Sequence, residues 1–128
     1  MNGLHLTADL GGVDPALPLM RDAEALATLC REAVLQSGLS GVAELFHRFG
    51  AADEQAGITG VVLLAESHLA VHTWPELGGV TLDVYVCNYG ADNTAKAEAL
   101  MAALIAAFAP VVVGRQSLSR AAASTPAV

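Results

Sequence analysis

Residues 80–87, Val-Thr-Leu-Asp-Val-Tyr-Val-Cys, alternate apolar and polar side chains along almost their whole length. Strand side chains have a period of two, so Val80, Leu82, Val84 and Val86 share one face of a sheet while Thr81, Asp83, Tyr85 and Cys87 share the other. One face therefore asks for an apolar cover, and two helical segments can supply it. Between residues 21 and 36, Leu26, Leu29, Cys30, Ala33 and Val34 recur at helical spacing, with Gly38 placed as a stop. After the capping run Asp92-Asn93-Thr94, the set Ala97, Leu100, Met101, Leu104, Ile105 and Phe108 repeats that period until Pro110 ends it.

The rest of the chain reads mostly as strand. Residues 4–10 alternate loosely and end at Gly11-Gly12, residues 41–49 carry Val42, Leu45, Phe46 and Phe49, and residues 50–57 form a loop of small and polar residues. Residues 58–65 are rich in β-branched and aliphatic side chains, residues 69–73 are a short strand, and residues 110–117 add an edge strand. Residues 121–128 are a small-residue tail expected to be flexible. The expected fold is α+β, a two-layer sandwich in which a largely antiparallel sheet carries two helices on one face, with residues 1–120 as a single domain. The polar face is left to water or to a second subunit.

With 128 residues, 54% of them hydrophobic, the chain can bury a core without metal or disulfide staples. Its net charge of −7 and lack of any Lys/Arg cluster exclude nucleic acid and anionic membrane surfaces as favoured partners. Cys30 and Cys87 form no CxxC or Cys/His pattern, which fits a reducing, cytoplasmic setting. The longest apolar run, residues 99–113, is broken by Pro110 and is shorter than the roughly 18 residues that span a bilayer, so a soluble protein is expected. The start of the chain lacks the basic and apolar regions of a signal peptide. Cys30, on the apolar helix face, reads as an inert core thiol.

Residues 65–76, Ala-Glu-Ser-His-Leu-Ala-Val-His-Thr-Trp-Pro-Glu, concentrate the chemistry. Polar turn residues between two strands, with Trp74-Pro75 as a packed corner, would account for part of this density. His68 and His72 are four apart, but strand formers lie between them, so a metal site of the helical i, i+4 kind is disfavoured and no metal is expected. A serine hydrolase is disfavoured too, because the G-x-S-x-G elbow is missing.

Glu66-Ser67-His68, His72-Thr73-Trp74-Pro75-Glu76, Asp83 and Cys87 closely resemble the prokaryotic S-adenosylmethionine decarboxylase proenzyme family, a pyruvoyl-dependent group. Phe46-His47-Arg48-Phe49, Thr59-Gly60-Val61-Val62 and Gly3-Leu4-His5-Leu6 extend the resemblance over roughly residues 3 to 110. It implies self-cleavage between Glu66 and Ser67 into a β chain of residues 1–66 and an α chain of residues 67–128. Ser67 would become the pyruvoyl group that forms a Schiff base with the substrate amine, so no added cofactor is needed.

The resemblance also distributes roles. His72 is the base of processing, Thr59 assists the acyl shift, and Cys87 donates the proton that completes decarboxylation. Phe49 stacks on adenine and Glu76 holds ribose hydroxyls or a substrate amine; read on their own, His68 serves local structure and Phe46 is core. Thr59 is taken to share the strand parity of Ser67, eight residues on. The implied product is the aminopropyl donor of spermidine synthesis, and the implied assembly is a homodimer of processed units. Two alternatives stand beside it: a pyruvoyl-dependent arginine or ornithine decarboxylase on the same scaffold, and an unprocessed homologue that binds and regulates a partner.

Overall fold

In a computed structural model, which describes residues 2–51 and 55–124, strand β1 (Asn2–Gly11) runs into a one-turn helix α1 (Pro18–Arg21) and then helix α2 (Ala23–Ser37). Strands β2 (Gly41–Arg48), β3 (Ile58–Leu64), β4 (Ser67–Trp74) and β5 (Gly79–Cys87) follow, then helix α3 (Thr94–Phe108) and β6 (Val112–Ala121). The strands form one sheet in the order β2-β3-β4-β5-β1-β6, antiparallel at every step. The alternation in residues 80–87 does what its period requires. Val80, Leu82, Val84 and Val86 are buried, and Leu6, Ala8, Val62, Leu69 and Val71 join them on the same face. The buried residues of α2 and α3, Leu26, Cys30 and Val34 with Leu100, Leu104 and Phe108, close over that face. This is the expected α+β sandwich.

Boundaries follow local chemistry. Asp22 caps α2, its carboxylate accepting from the amides of Glu24 at 3.0 Å and Ala25 at 3.3 Å, and Gly38 ends the helix in the left-handed region. The helix expected over 21–36 is thus divided. Asp22 breaks helical geometry (φ −103, ψ 106), and Arg21 belongs to the separate turn α1, which the sequence period did not reveal. Strand β4 begins at Ser67, two residues earlier than expected, because Ala65 and Glu66 alone make the turn from β3. Edge strand β6 reaches Ala121, the first residue of the segment read as a tail; residues 125–128 of that segment, like 52–54 of the loop, lie outside the described residues.

Phe46 packs against the core, as expected. Its ring lies across Gly60 on the neighbouring strand, where any side chain would collide with it. The parity expected for Thr59 is corrected by the register of the β3–β4 hairpin. Leu64 faces Ser67 and Thr59 faces His72, so paired positions sum to an odd number, 131. Odd positions on β3 therefore share a face with even positions on β4, and Thr59 lies with His72, not with Ser67.

Candidate active site

Strand β4 carries chemistry at both of its ends. At its start, the turn places Glu66 at φ 56, a left-handed conformation that costs a non-glycine residue about 1 kcal/mol or more. Ser67 follows directly, and its Oγ accepts a hydrogen bond from the Cys87 amide at the end of β5, 3.1 Å away. Cys87 is largely buried, and a cleft of about 330 Å³ beside it is lined by Glu66, Tyr85, Cys87 and Tyr89. His68 points to the open face and stacks on Tyr85, ring centroids 5.6 Å apart and 26° between planes. His5 meets both rings edge-on and its Nε2 lies 3.0 Å from the Asp83 carboxylate. Arg120, from β6, sits over the Tyr85 ring.

The far end of β4 holds the second cluster. Thr59 Oγ1 and His72 Nδ1 are 3.0 Å apart across the β3–β4 rung, and His72 stacks on Trp74 at 5.9 Å and 30°. A cleft of about 400 Å³ opens here, lined among others by Phe49, Thr59, His72, Trp74 and Glu76. Phe49 stands just past β2, its amide tied to the Gly57 carbonyl at 3.0 Å and its ring edge-on to His47. The aromatic rings can take up a flat base, and the Glu76 carboxylate can accept from hydroxyl or ammonium donors.

The residues singled out by sequence therefore fall into two groups. Glu66, Ser67 and Cys87 meet at one end of β4, and Thr59, His72, Phe49 and Glu76 meet at the other. Within one chain the groups do not touch. Ser67 and His72 are five residues apart along β4, about 17 Å at strand rise. Sequence reasoning passed over Trp74 as a packed corner, although its shared parity with His72 carried the signal; it also gave no site role to Tyr85 or Tyr89.

Comparison with known proteins places the whole chain. The sequence model of the S-adenosylmethionine decarboxylase family matches residues 4–121. The chain belongs to this family. An S-adenosylmethionine decarboxylase proenzyme from Picrophilus torridus is 41% identical over 85 residues, 66% of this chain and 61% of that protein. One from Symbiobacterium thermophilum is 38% identical over 118 residues, 92% of this chain and 82% of that protein. The match thus spans less than two thirds of the length of the first of these relatives and most of the second. The crystal structure of the adenosylmethionine decarboxylase from Aquifex aeolicus superposes with a TM-score of 0.81 at 34% identity, covering 98% of this chain and 96% of that one. The six-stranded antiparallel sheet under two long helices is thus an S-adenosylmethionine decarboxylase fold.

Proposed function

We propose that this chain is a self-processing, pyruvoyl-dependent S-adenosylmethionine decarboxylase that makes the decarboxylated aminopropyl donor used for spermidine. The observation that carries the reading is the join of Glu66 to Ser67: a backbone held at φ 56 just before a serine whose oxygen is fixed by the Cys87 amide. Attack of Ser67 Oγ on the Glu66 carbonyl carbon breaks the amide, forms an ester and frees the nitrogen of residue 67 as an amine. A base then takes the Cα proton of residue 67 as the ester C–O bond breaks. Glu66 leaves as a carboxylate, residue 67 becomes dehydroalanine, and water replaces its nitrogen as ammonia to leave the pyruvoyl group. Once formed, such a group supplies an electrophilic carbonyl and an electron sink for loss of carbon dioxide.

His72 is the base of processing in this reading. The Thr59 hydroxyl engages Nδ1 and leaves Nε2 available for the proton. Some 17 Å of strand separates this imidazole from Ser67 of the same chain, so the base is supplied by a second copy. The open face supports such pairing. Leu45, Leu63 and Leu118 are 71%, 47% and 58% exposed on the side away from the helices, beside the polar cluster of His5, Asp83 and His68. In a two-fold dimer, Ser67 and Cys87 of one protomer face Thr59, His72, Phe49 and Glu76 of its partner, and two equivalent sites result. Cys87 donates the proton that completes the reaction.

Phe49 and Trp74 give the 400 Å³ cleft two aromatic surfaces and Glu76 gives it a carboxylate, a set suited to a nucleoside with ribose hydroxyls. A substrate of arginine or ornithine size has no use for the aromatic pair, which favours S-adenosylmethionine. Two free thiols fit a reducing cytoplasm. Mass spectrometry of the purified chain tests the reading. Two fragments divided between residues 66 and 67, with carbon dioxide released from S-adenosylmethionine but not from arginine or ornithine, are expected. An intact, inactive chain would make it a binding homologue.

A further inference from the structure

Thr73 is buried to 3% exposure, and it is the only buried polar side chain among the described residues. It follows Leu69 and Val71 on the core face of β4, where a valine would fit the pattern, so its hydroxyl needs a reason. That hydroxyl accepts from the Ile58 amide at 2.9 Å and donates to the Met20 carbonyl at 2.8 Å. The β3–β4 ladder has its last backbone rung at Thr59 and His72, and the next would pair Ile58 with Thr73. There the side chain takes the place of the backbone partner. The approach to this point is tight. A Cβ on Gly57 would collide with the Thr73 carbonyl oxygen, so the chain entering β3 runs directly against Thr73.

The third partner is α1. A four-residue helix leaves its final carbonyls without intrahelical donors. Thr73 takes the carbonyl of Met20, and the Arg48 guanidinium takes that of Arg21 at 2.8 Å. Both donors flank the larger cleft. Thr73 lies between His72 and Trp74, and Arg48 lies next to Phe49.

We infer that Thr73 is a positioning residue. Its hydroxyl locks the end of β3 and β4 to α1 and thereby sets the Thr59–His72 pair in the geometry that processing requires. This rests on the processing reading above.

The full-length Thr73→Val, Thr73→Ser and wild-type chains, freshly refolded as uncleaved proenzyme, test it. The first-order rate of chain cleavage is followed on gels at a temperature well below each melting midpoint. Thr73→Val is expected to cleave at least 10-fold more slowly per folded molecule, and Thr73→Ser to stay within about 3-fold of wild type, because the serine keeps both hydrogen bonds. A Thr73→Val chain that melts earlier yet cleaves at the wild-type rate would overturn the inference and leave the hydroxyl a purely structural bond. So would a folded Thr73→Ser chain as slow as the valine variant. If Thr73→Val does not accumulate as folded protein, Thr73→Ala, which also removes the hydroxyl and adds no bulk, takes its place under the same two outcomes. Failure of the wild-type chain to cleave would count instead against the processing reading itself.

Discussion

Cys30 lies fully buried on α2, and burial pushes its thiol up to about 12, with the Glu44 carboxylate adding to the rise. The folded chain therefore holds this proton more tightly than the unfolded chain, whose thiol titrates near 9. The stability tied to it is complete below about pH 9 and is lost as pH rises toward 12. Cys30→Ala should flatten the alkaline arm of a stability-against-pH curve measured by denaturant titration, even though it lowers stability at neutral pH by leaving a small cavity. Unfolding curves with the same alkaline slope in both chains would remove Cys30 from that arm. Cys87 has a different assignment. Cys87→Ala should cleave at a rate near wild type and then decarboxylate at least 100-fold more slowly, read as chain fragments against carbon dioxide release, because the role proposed for its thiol follows processing. Ser67→Ala should do neither. These assignments show what a single residue discloses in sequence. Cys30 was legible as core because its helical period is unbroken, and Ser67 was singled out because it sits in the Glu-Ser-His block. Thr73 was not, since a threonine in a strand reads as a strand former and nothing local announces that its hydroxyl serves Ile58 and Met20.

Elements were legible in proportion to their length and periodicity. Helix α3 and strand β5 lie close to where their patterns put them, because each repeats its period several times and ends on a recognisable stop, Pro110 after the helix and the polar Asn88 after the strand. Helix α1 was invisible: one turn has no period to read, and its cap Asp22 was absorbed into the longer helix. The hairpin β3–β4 was found as two strands, but its register was not. A turn of two residues instead of three exchanges the faces on which Thr59 and Ser67 lie, and turn length is the weakest signal in a polar stretch such as Ala65-Glu66-Ser67-His68. Asp22 provides the test at this scale. With two amides of α2 resting on its carboxylate, Asp22→Ala should cost about 1 kcal/mol in denaturant unfolding, and Asp22→Asn should recover most of it. A change below about 0.3 kcal/mol in Asp22→Ala would mean that packing alone sets the start of α2.

For the whole molecule, the proposal turns on the sheet's open face. Sequence showed that this face is polar at its centre, and it did not show that Ser67 and His72 lie towards opposite ends of one strand, because the short strand read over residues 69–73 left Ser67 outside it. If each chain used its own His72, β4 would have to fold back by some 17 Å, which a strand paired on both sides does not allow. In the proposed dimer a second copy would bring the two groups together without any such change. Light scattering should then give about twice the 13.1 kDa chain mass, and a sharper test lies in mixing two defects. Ser67→Ala and His72→Ala chains are each expected to be inactive alone. Co-expressed in equal amounts, half of the dimers pair one of each, and one of the two sites in such a dimer joins an intact Ser67 to an intact His72. About a quarter of wild-type activity should return, and about half of the His72→Ala chains should be cleaved while the Ser67→Ala chains stay whole. If each chain worked alone, the mixture would remain as inactive as its parents, and an active monomer in light scattering would place the base and the serine within one protomer after all.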